Sequence, residues 1–264
     1  MKPFLSICGR TFPSYGIVGM IGFIFSVGVV IVLSRKYRIS FSDSFYIFIL
    51  GILGLFLGAK LLYLITVLPG FIREFKYIFT YKDLFVLKYF SSGMVFYGGM
   101  FGCILASFWA FRLFMKNEKK YYPILLPAYI CFAGFGRIGC FLTGCCYGKE
   151  TNSFLGVVFK ESLVAPSGIR LIPTQLIEAL FDFGLVIVFI LLSKYKTIRE
   201  NMLRIYLVIY AVFRFFLEYY RGDEQRGIIL FFSTSQWISI IIILLIIFIY
   251  IFGNGKSEIE ENID

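Results

Sequence analysis

The sequence predicts an all-α integral membrane protein with seven transmembrane helices and a small extracytoplasmic cap. Of its 264 residues, 59% are hydrophobic and only 16% are charged, whereas soluble proteins are about a quarter charged. Seven apolar stretches have the length of a membrane span, which takes roughly 20 helical residues. They cover 16–33, 44–67, 95–115, 123–143, 176–192, 203–219 and 228–252. We therefore expect one polytopic membrane domain over residues 1–264.

Basic residues are concentrated in three short loops, which predict the orientation of the chain. These loops are Arg35–Arg38, Lys116–Lys120 and Lys194–Glu200, and they lie on alternate sides of spans, hence on one face. The positive-inside rule makes that face cytoplasmic, with the N-terminus outside and the C-terminus inside. The net charge of +10 is then explained by contact with anionic membrane lipids. Nucleic acid is not expected as a partner.

The chain before the first span and two longer loops carry further structural predictions. No small-residue cleavage site follows the first apolar run, so we expect a retained helix rather than a signal peptide. Segment 68–94 interleaves aromatic and charged residues, which suits either a helix in the headgroup layer or an ordered aromatic-rich loop. Segment 144–175 contains two prolines and the β-branched run 156–159. It is typical of an irregular cap with room for one hairpin.

Four charged residues fall within or at the edge of the predicted spans, where the bilayer makes them costly. They are Lys60, Arg137, Arg214 and Glu218, and a central Arg or Lys costs about 2.5–3.5 kcal/mol on insertion scales. Arg214, Glu218 and Arg221 step by four and then three residues, so one helical face carries them. One interpretation is a self-neutralised ion pair with a snorkelling arginine. The other is a polar groove in which arginines grip a phosphate bidentately.

Glycines cluster at the end of the fourth span and at the start of the third. In the stretch GFGRIGCFLTGCCYGKET, residues 134–151, five glycines are expected to loosen the helix and let backbone approach a ligand. The stretch therefore predicts the wall of a polar pocket at the outer end of the span. In YGGMFG, residues 97–102, the glycines suit either a lipid headgroup at a helix start or close packing of two helices.

Three cysteines, Cys140, Cys145 and Cys146, accompany these glycines. The chain contains no histidine that would complete a zinc site, so no metal is expected. A Cys140–Cys145 disulfide is one alternative if the segment is extracytoplasmic. The other is that these cysteines are small apolar packing residues.

Several motifs together resemble the prolipoprotein diacylglyceryl transferases, a family of bacterial inner-membrane enzymes. The stretch GRIGCFLTGCCYGKET is similar to the family signature GRIGNFINGE-x-YGRPT. Other motifs follow in family order: SYG (14–16), GAKLLY (58–63), GMVFYGGMFG (93–102), IPTQLIE (172–178), RFFLEYYR (214–221) and TSQWIS (234–239). The resemblance therefore extends from residue 14 to residue 239, and motif matches in this number and order indicate membership.

The resemblance implies the reaction and its site. The family transfers the diacylglyceryl group of phosphatidylglycerol to the lipobox cysteine thiol of a prolipoprotein signal peptide, releases glycerol phosphate and needs no cofactor. Arg137 and Arg214 would hold the phosphate, Glu218 would orient Arg214, and Tyr97 would stand in the catalytic site. The implied lipid contacts are Tyr15, Lys60, Gly98, Gly99, Gln175, Glu218 and Arg221. No metal is implied.

The chain also departs from the family pattern. Tyr97 and Ile172 replace two family histidines, Cys140 and Cys145 replace an Asn and a Glu, and Lys60 replaces an arginine. A tyrosine with a pKa near 10 is a poor base at neutral pH, so we expect Tyr97 to position the lipid. The departures leave an alternative to the transferase: an altered family member that binds lipid, scaffolds a partner or uses another thiol acceptor.

Overall fold

A computed structural model describes residues 3–7, 9–75, 93–114, 116–162, 164–222 and 228–260. Within these ranges the chain is mainly α-helical, as predicted. The helices are α1 (Ser14–Tyr37), α2 (Phe41–Glu74), α3 (Phe96–Leu113), α4 (Glu118–Thr143), α5 (Thr174–Leu192), α6 (Lys196–Leu217) and α7 (Thr234–Glu260).

Six of these helices are long and apolar enough to cross a membrane: α1, α2, α3, α4, α5 and α7. The described residues therefore form a predominantly helical protein with the character of an integral membrane protein. The predicted span 203–219 falls on α6, which is helical but not among the six. Its apolar residues are interrupted by Glu200, Arg204 and Arg214, and charges lower the hydropathy on which the criterion depends.

Short antiparallel strand pairs flank three of the helices. Strands β1 (Phe4–Ile7) and β2 (Arg10–Pro13) pair before α1, and β3 (Val157–Val158) pairs with β4 (Arg170–Leu171). The second pair is the hairpin expected in segment 144–175. Strands β5 (Ile228–Ile229) and β6 (Phe232–Ser233) pair immediately before α7. The prediction that the last span begins at residue 228 was therefore wrong, because short apolar strands have the same hydropathy as a helix start.

The chain divides into two compact units, and the boundaries fall inside α1 and α4. The first unit comprises Met1–Val29 and Leu126–Asp264, and the second comprises Val30–Leu125. The single membrane domain over residues 1–264 stays a prediction. Segment 68–94 is described only to residue 75, where α2 has ended, and again from residue 93. The two alternatives for that segment lie largely outside the described residues.

In the second unit, α2 and α3 pack through glycine backbone. A Cβ atom on Gly98 would lie 2.5 Å from the carbonyl oxygen of Gly58, and one on Gly102 would meet the carbonyl oxygen of Gly54. Gly54 and Gly58 on α2, and Gly98 and Gly102 on α3, are each four residues apart. This is the small-xxx-small pattern that lets membrane helices approach closely. The packing alternative for the YGGMFG motif is therefore the one that α2 and α3 display.

A partly exposed ion pair joins the start of α2 to the residues after α3 in the same unit. Lys116 Nζ lies 2.6 Å from Asp43 Oδ2, and both side chains are about one third exposed, at 34% and 32%. Ser40 caps the N-terminus of α2 by accepting a hydrogen bond from the backbone N–H of Asp43 at 3.3 Å. The hydrogen bond from Lys116 to Asp43 raises the pKa of the lysine above its usual value.

In the first unit, α4 is continuous to Thr143, so the expectation that its glycines loosen the helix was wrong. Two of these glycines instead allow aromatic rings to pack directly against the helix backbone. A Cβ on Gly134 would lie 2.9 Å from Phe183 Cε1, and one on Gly139 would lie 2.7 Å from Tyr15 Cδ2. The helix ends before Gly144, whose φ of 75° is the left-handed conformation that glycine adopts at a helix C-terminus.

The segment between α4 and α5 folds around a small core of its own. Phe159, Ala165 and Leu171 are buried there, and Phe141 and Tyr147 pack against them. This core gives the irregular segment a fixed conformation beside the ends of α4 and α5, which carry several of the predicted site residues.

Candidate functional site

Glu178 lies at the centre of a buried ion network in the first unit. Its Oε1 is 2.8 Å from Arg137 Nη2 and accepts a hydrogen bond from Tyr210 Oη at 2.8 Å. Its Oε2 is 3.6 Å from Arg214 Nη1, and Arg214 Nη2 is 3.0 Å from Glu218 Oε2. All five side chains are buried. Helices α4, α5 and α6 therefore meet at one carboxylate, and we call these five residues the Glu178 network.

Helix α6 and the 3₁₀ turn after it (Glu218–Tyr220) place three network residues on one face. Tyr210, Arg214 and Glu218 follow at intervals of four residues, which is close to one helical turn. Arg214 contacts Glu218 on this face, but it also reaches Glu178 on α5. The interpretation as a self-neutralised pair therefore accounts for only one of its two carboxylate contacts.

Burial gives the Glu178 network a large influence on stability. The side chain of Glu178 is 1% exposed, and those of Arg137 and Arg214 are 8% and 5% exposed. Desolvating such groups costs several kcal/mol each, and removing one partner of a buried pair typically destabilises a protein by about 3–5 kcal/mol. The removal of any one charged side chain of the network is therefore expected to destabilise the contacts among α4, α5 and α6.

The first turn of α5 also holds the segment that follows α4. Thr174 Oγ1 donates a hydrogen bond to the carbonyl oxygen of Cys146 at 2.7 Å, and Gln175 Nε2 donates one to that of Cys145 at 2.6 Å. Glu178 lies one turn further along the same helix. The contacts of Gln175 thus tie the cysteine segment to the helix that carries the central carboxylate.

Arg221 is buried at the end of the 3₁₀ turn. Its backbone N–H donates to the carbonyl oxygen of Glu218 at 3.2 Å, and its backbone forms a bridge with Gly148. Next to it, Lys149 N donates to the carbonyl oxygen of Tyr220 at 2.8 Å. Backbone bonds therefore join the segments after α4 and after α6, and they bring a third buried arginine close to the cysteines.

The first unit contains six of the predicted site residues. Arg137, Arg214 and Glu218 belong to the Glu178 network, whereas Arg221 and Gln175 adjoin it through backbone and side-chain hydrogen bonds. Tyr15 is placed differently, because its ring lies against Gly139 on α4. The Tyr15 ring therefore packs on α4 next to Cys140.

The other four predicted site residues lie in the second unit. Lys60 Nζ is 4.8 Å from the ring centroid of Tyr63, a cation–π distance. Tyr97 is buried in the first turn of α3. Gly98 lies against α2 backbone, and a Cβ on Gly99 would lie 3.2 Å from the carbonyl oxygen of Leu55. Helix packing occupies the space beside both glycines, and their role as lipid contacts stays a prediction.

Sequence analysis missed the residue at the centre of the network. Glu178 and Asp182 were not counted among the charges within spans, although both are fully or almost fully buried on α5. Their spacing of four residues near the start of an apolar helix was the available signal, because the bilayer penalises both. Asp182 Oδ1 has no hydrogen-bond partner among the described residues. Pairing across helices, however, is visible only in three dimensions.

Three thiols converge beside the network. The Sγ atoms of Cys140, Cys145 and Cys146 all lie within 4.8 Å of one another, and the residues are half-buried. All three are free cysteines. Hydrogen bonds from Cys140 and Cys145 and the charges of Arg221 and Arg137 hold the pKa of the Cys146 thiol well below its usual value. We call these three residues the thiol cluster.

Comparison with known proteins identifies what the chain resembles. The model of the family described as prolipoprotein diacylglyceryl transferase matches residues 3–252. A phosphatidylglycerol–prolipoprotein diacylglyceryl transferase of Clostridium tetani is 34% identical over 255 residues, which is 95% of this chain and 97% of the relative. A second such enzyme of Clostridium perfringens is 33% identical over 263 residues, or 96% of each chain. One from Rickettsia felis is 33% identical over 68% of this chain and 67% of its own.

Proposed function

The chain belongs to the prolipoprotein diacylglyceryl transferase family, and we propose that its Glu178 network is the phosphate site of that transfer. The protein is a multi-pass transferase of lipoprotein biosynthesis that uses phosphatidylglycerol as the donor and prolipoproteins as the acceptors. The observation that carries the proposal is the meeting of Arg137 and Arg214, from two helices, at one buried carboxylate.

The reaction requires charge stabilisation at a phosphate. The acceptor is the lipobox cysteine thiol, whose sulfur forms a C–S bond to the glyceryl carbon of the donor. The C–O bond to phosphate breaks, its electron pair stays on the phosphate oxygen, and glycerol phosphate leaves. The thiol loses its proton, and because a phosphate monoester has a second pKa of about 6, at neutral pH that proton passes mainly to solvent and glycerol phosphate leaves mainly as the dianion. Donors aimed at that developing charge accelerate the step most.

Arginine suits this task for reasons of geometry and charge. Its planar guanidinium presents parallel N–H donors to phosphate oxygens and stays protonated at all relevant pH values. Glu178 and Glu218 fix the two guanidinium groups through ion pairs of 2.8–3.6 Å. In the proposal, these carboxylates keep the arginines buried and oriented before the donor lipid arrives, and Arg221 adds positive charge at the edge.

The remaining predicted residues are proposed as lipid contacts. Tyr15 borders α4 next to Gly139, and Gln175 holds the segment after α4 in place. In the second unit, Lys60, Tyr97, Gly98 and Gly99 are proposed to contact the donor, with Tyr97 positioning it rather than taking a proton. No step of the proposed reaction needs a cofactor or a metal.

We further propose seven spans in the bacterial inner membrane, with α6 as the sixth and the N-terminus outside. Pairing of Arg214 with two glutamates supports α6 as a span, since paired charges lower the cost of insertion. Arg35 and Lys36 lie in the last turn of α1, which supports a cytoplasmic end there. Segment 144–175 would then form the extracytoplasmic cap, and anionic membrane lipids would contact the basic loops.

Complementation of a bacterial strain depleted of its own transferase tests the function. We expect the wild-type chain to restore growth, and purified protein to convert phosphatidylglycerol and a lipobox peptide to a thioether-linked product with release of glycerol phosphate. Lack of rescue at normal membrane expression, together with retained phosphatidylglycerol binding, would favour the lipid-binding alternative. Activity only with a non-lipobox thiol would favour another acceptor.

A further inference from the structure

The thiol cluster is not used by the proposed transfer, and its geometry resembles a metal site. Cys140 lies in the last turn of α4, whereas Cys145 and Cys146 follow the turn at Gly144. Three thiolates bound to one ion at about 2.3 Å lie roughly 4 Å apart when they are coplanar with it. The three Sγ atoms all lie within 4.8 Å of one another, so only small side-chain adjustments separate the observed arrangement from such a site.

We propose that Cys140, Cys145 and Cys146 bind one soft, thiophilic metal ion of low coordination number, with Cu(I) the ion that fits best. Soft thiolate ligands select Cu(I), zinc and iron–sulfur clusters. A structural zinc site needs a fourth ligand, but the chain has no histidine. Among the described residues, the group that could hold a metal contains only the three cysteines. The expectation that no metal binds assumed the four ligands of a zinc site, whereas a three-coordinate ion needs only three.

The surroundings of the cluster favour a charged tri-thiolate complex. Cu(I) with three thiolates carries a net charge of −2, which would be costly at a half-buried position without compensation. Arg137 lies one turn before Cys140 on α4, and the backbone of Arg221 is bridged to Gly148 just after Cys146. Arg221 thus places a buried positive charge close to the cluster, and Arg137 adds a second one that it shares with Glu178 at 2.8 Å.

The local backbone also holds the thiols together at some energetic cost. Cys146 has a φ of 61°, and a non-glycine residue in this region costs on the order of 1–3 kcal/mol. The carbonyl oxygens of Cys145 and Cys146 are fixed by Gln175 and Thr174. Cys145 N donates to the carbonyl oxygen of Cys140 at 3.1 Å, which closes the turn between the thiols. The cluster is therefore pre-arranged by contacts outside the sulfur atoms.

The experiment is a Cu(I) titration of the full-length protein in detergent, under anaerobic and reducing conditions, against a chromophoric Cu(I) chelator. The chain has six cysteines, so the reference variant replaces the other three (Cys8→Ala, Cys103→Ala and Cys131→Ala) and keeps the cluster. We expect one Cu(I) per chain in the wild type and in this reference. The triple variant Cys140→Ser, Cys145→Ser, Cys146→Ser should bind at least about 100-fold more weakly.

Two further readouts separate metal binding from other roles. X-ray absorption should show about three sulfur neighbours near 2.3 Å, and Cu(I) should raise the melting temperature of the wild type and the reference variant only. Equal Cu(I) affinity of the triple variant would overturn the proposal. So would tighter binding of Zn(II) with four ligands, or a mass loss of about 2 Da without copper, which marks a disulfide. None of these readouts depends on transferase activity.

Discussion

The two units of the molecule hold their helices together by opposite means. In the second unit, α2 and α3 meet through Gly54, Gly58, Gly98 and Gly102, with backbone against backbone. In the first unit, α4, α5 and α6 meet through buried charged side chains at Glu178. Lipid tails are as apolar as leucine, so burial alone does not drive helices together in a membrane. Close backbone packing and buried ion pairs are two solutions to that problem.

The difference indicates where chemistry can take place. Glycine packing leaves no polar side chain at the contact, so it stabilises without offering a functional group. An ion network keeps guanidinium groups at a buried position, where they act strongly on a phosphate because the surrounding dielectric is low. Retaining charges there is costly unless they are paired. Under the proposed function, the residues that hold the helices of the first unit together would also bind the phosphate, whereas the glycine contacts of the second unit would only hold helices together.

The largest effect is expected from removing the shared carboxylate. Glu178→Gln keeps the side-chain shape but gives Arg137 a neutral partner at this position and leaves Arg214 with the Glu218 carboxylate. We expect the free energy of unfolding to fall by about 3–5 kcal/mol and transfer to drop on the order of a thousandfold. Thermal unfolding and product formation from labelled phosphatidylglycerol measure the two effects. Wild-type stability and activity would show that the network is not a functional unit.

The next largest effect concerns the shape of the arginine. Arg214→Lys keeps the charge but loses the planar fork, so we expect activity to fall about 10²–10³-fold, as for the loss of one transition-state donor. The matched change in the second unit is Lys60→Arg, which should be tolerated. The measurement is kcat/KM for both variants. Full activity of Arg214→Lys would refute the bidentate phosphate grip.

A smaller effect tests the glycine contacts. A Cβ on Gly102 would meet the carbonyl oxygen of Gly54, so Gly102→Ala should destabilise the protein by about 1–3 kcal/mol through overpacking. The control is Gly184→Ala on α5, where a Cβ would have no atom within 4 Å. It should leave the melting temperature unchanged or slightly raised. Equal melting temperatures for the two variants would contradict the close contact.

Tyr97 in the second unit should matter less than either arginine. If it only positions the donor, Tyr97→Phe loses about one hydrogen bond, worth roughly 0.5–1.5 kcal/mol. That corresponds to a loss of transfer of at most about tenfold. Steady-state kinetics measures the loss, with lipid binding as the control. A loss beyond about a thousandfold with binding intact would assign Tyr97 a role as base.

The smallest effect is expected at the exposed ion pair. Lys116 and Asp43 are about one third exposed, and exposed pairs contribute little to stability. Asp43→Asn should therefore leave the melting temperature at neutral pH within experimental error, in contrast to Glu178→Gln. A large shift would show that burial does not separate the two ion pairs.

The pH dependence of this pair has a definite sign. The pKa of Lys116 is raised in the folded protein by its hydrogen bond to Asp43. Any stability it contributes is therefore fully present below the ordinary lysine pKa and is lost as pH rises through the higher folded value. Wild type and Asp43→Asn, which should differ little at neutral pH, should therefore not move apart in stability as pH rises through the lysine pKa. A difference that grows as pH rises would contradict this sign.

Hydropathy predicted the helices well, and its errors have physical reasons. Helices α1, α3, α4 and α5 begin and end within five residues of the predicted spans, because a membrane helix must be both long and apolar. Helix α2 extends seven residues beyond the end of its predicted span. The start of the last span was wrong because Ile228–Ile229 and Phe232–Ser233 form a hairpin of the same apolar character. The first two turns of α6 were missed because Lys196, Arg199 and Glu200 are polar although they are helical.

Part of the Glu178 network stands out in the sequence, and the part that does not depends on tertiary structure. Arg137, Arg214 and Glu218 stand out in the sequence because a bilayer makes charges costly, and Glu218 follows Arg214 by one turn. The partner that joins both arginines, Glu178, lies 41 and 36 residues from them in the chain. No local pattern predicts that pairing. The thiol cluster likewise depends on a turn at Gly144 that brings Cys145 and Cys146 back to Cys140.

The Glu178 network has a consequence for biogenesis. During synthesis, α4 delivers Arg137 first, and α5 then delivers Glu178, its partner at 2.8 Å. Helix α6 then contributes Arg214, which is paired with Glu218 one helical turn further along the chain. Arg214 therefore enters together with a carboxylate that neutralises it. Once α5 is in place, the ion pairs can therefore be completed in the order of translation. We expect a chain truncated after α5 to be retained in the bilayer. A chain truncated after α4 lacks Glu178, the carboxylate that pairs with Arg137, and should be inserted less efficiently.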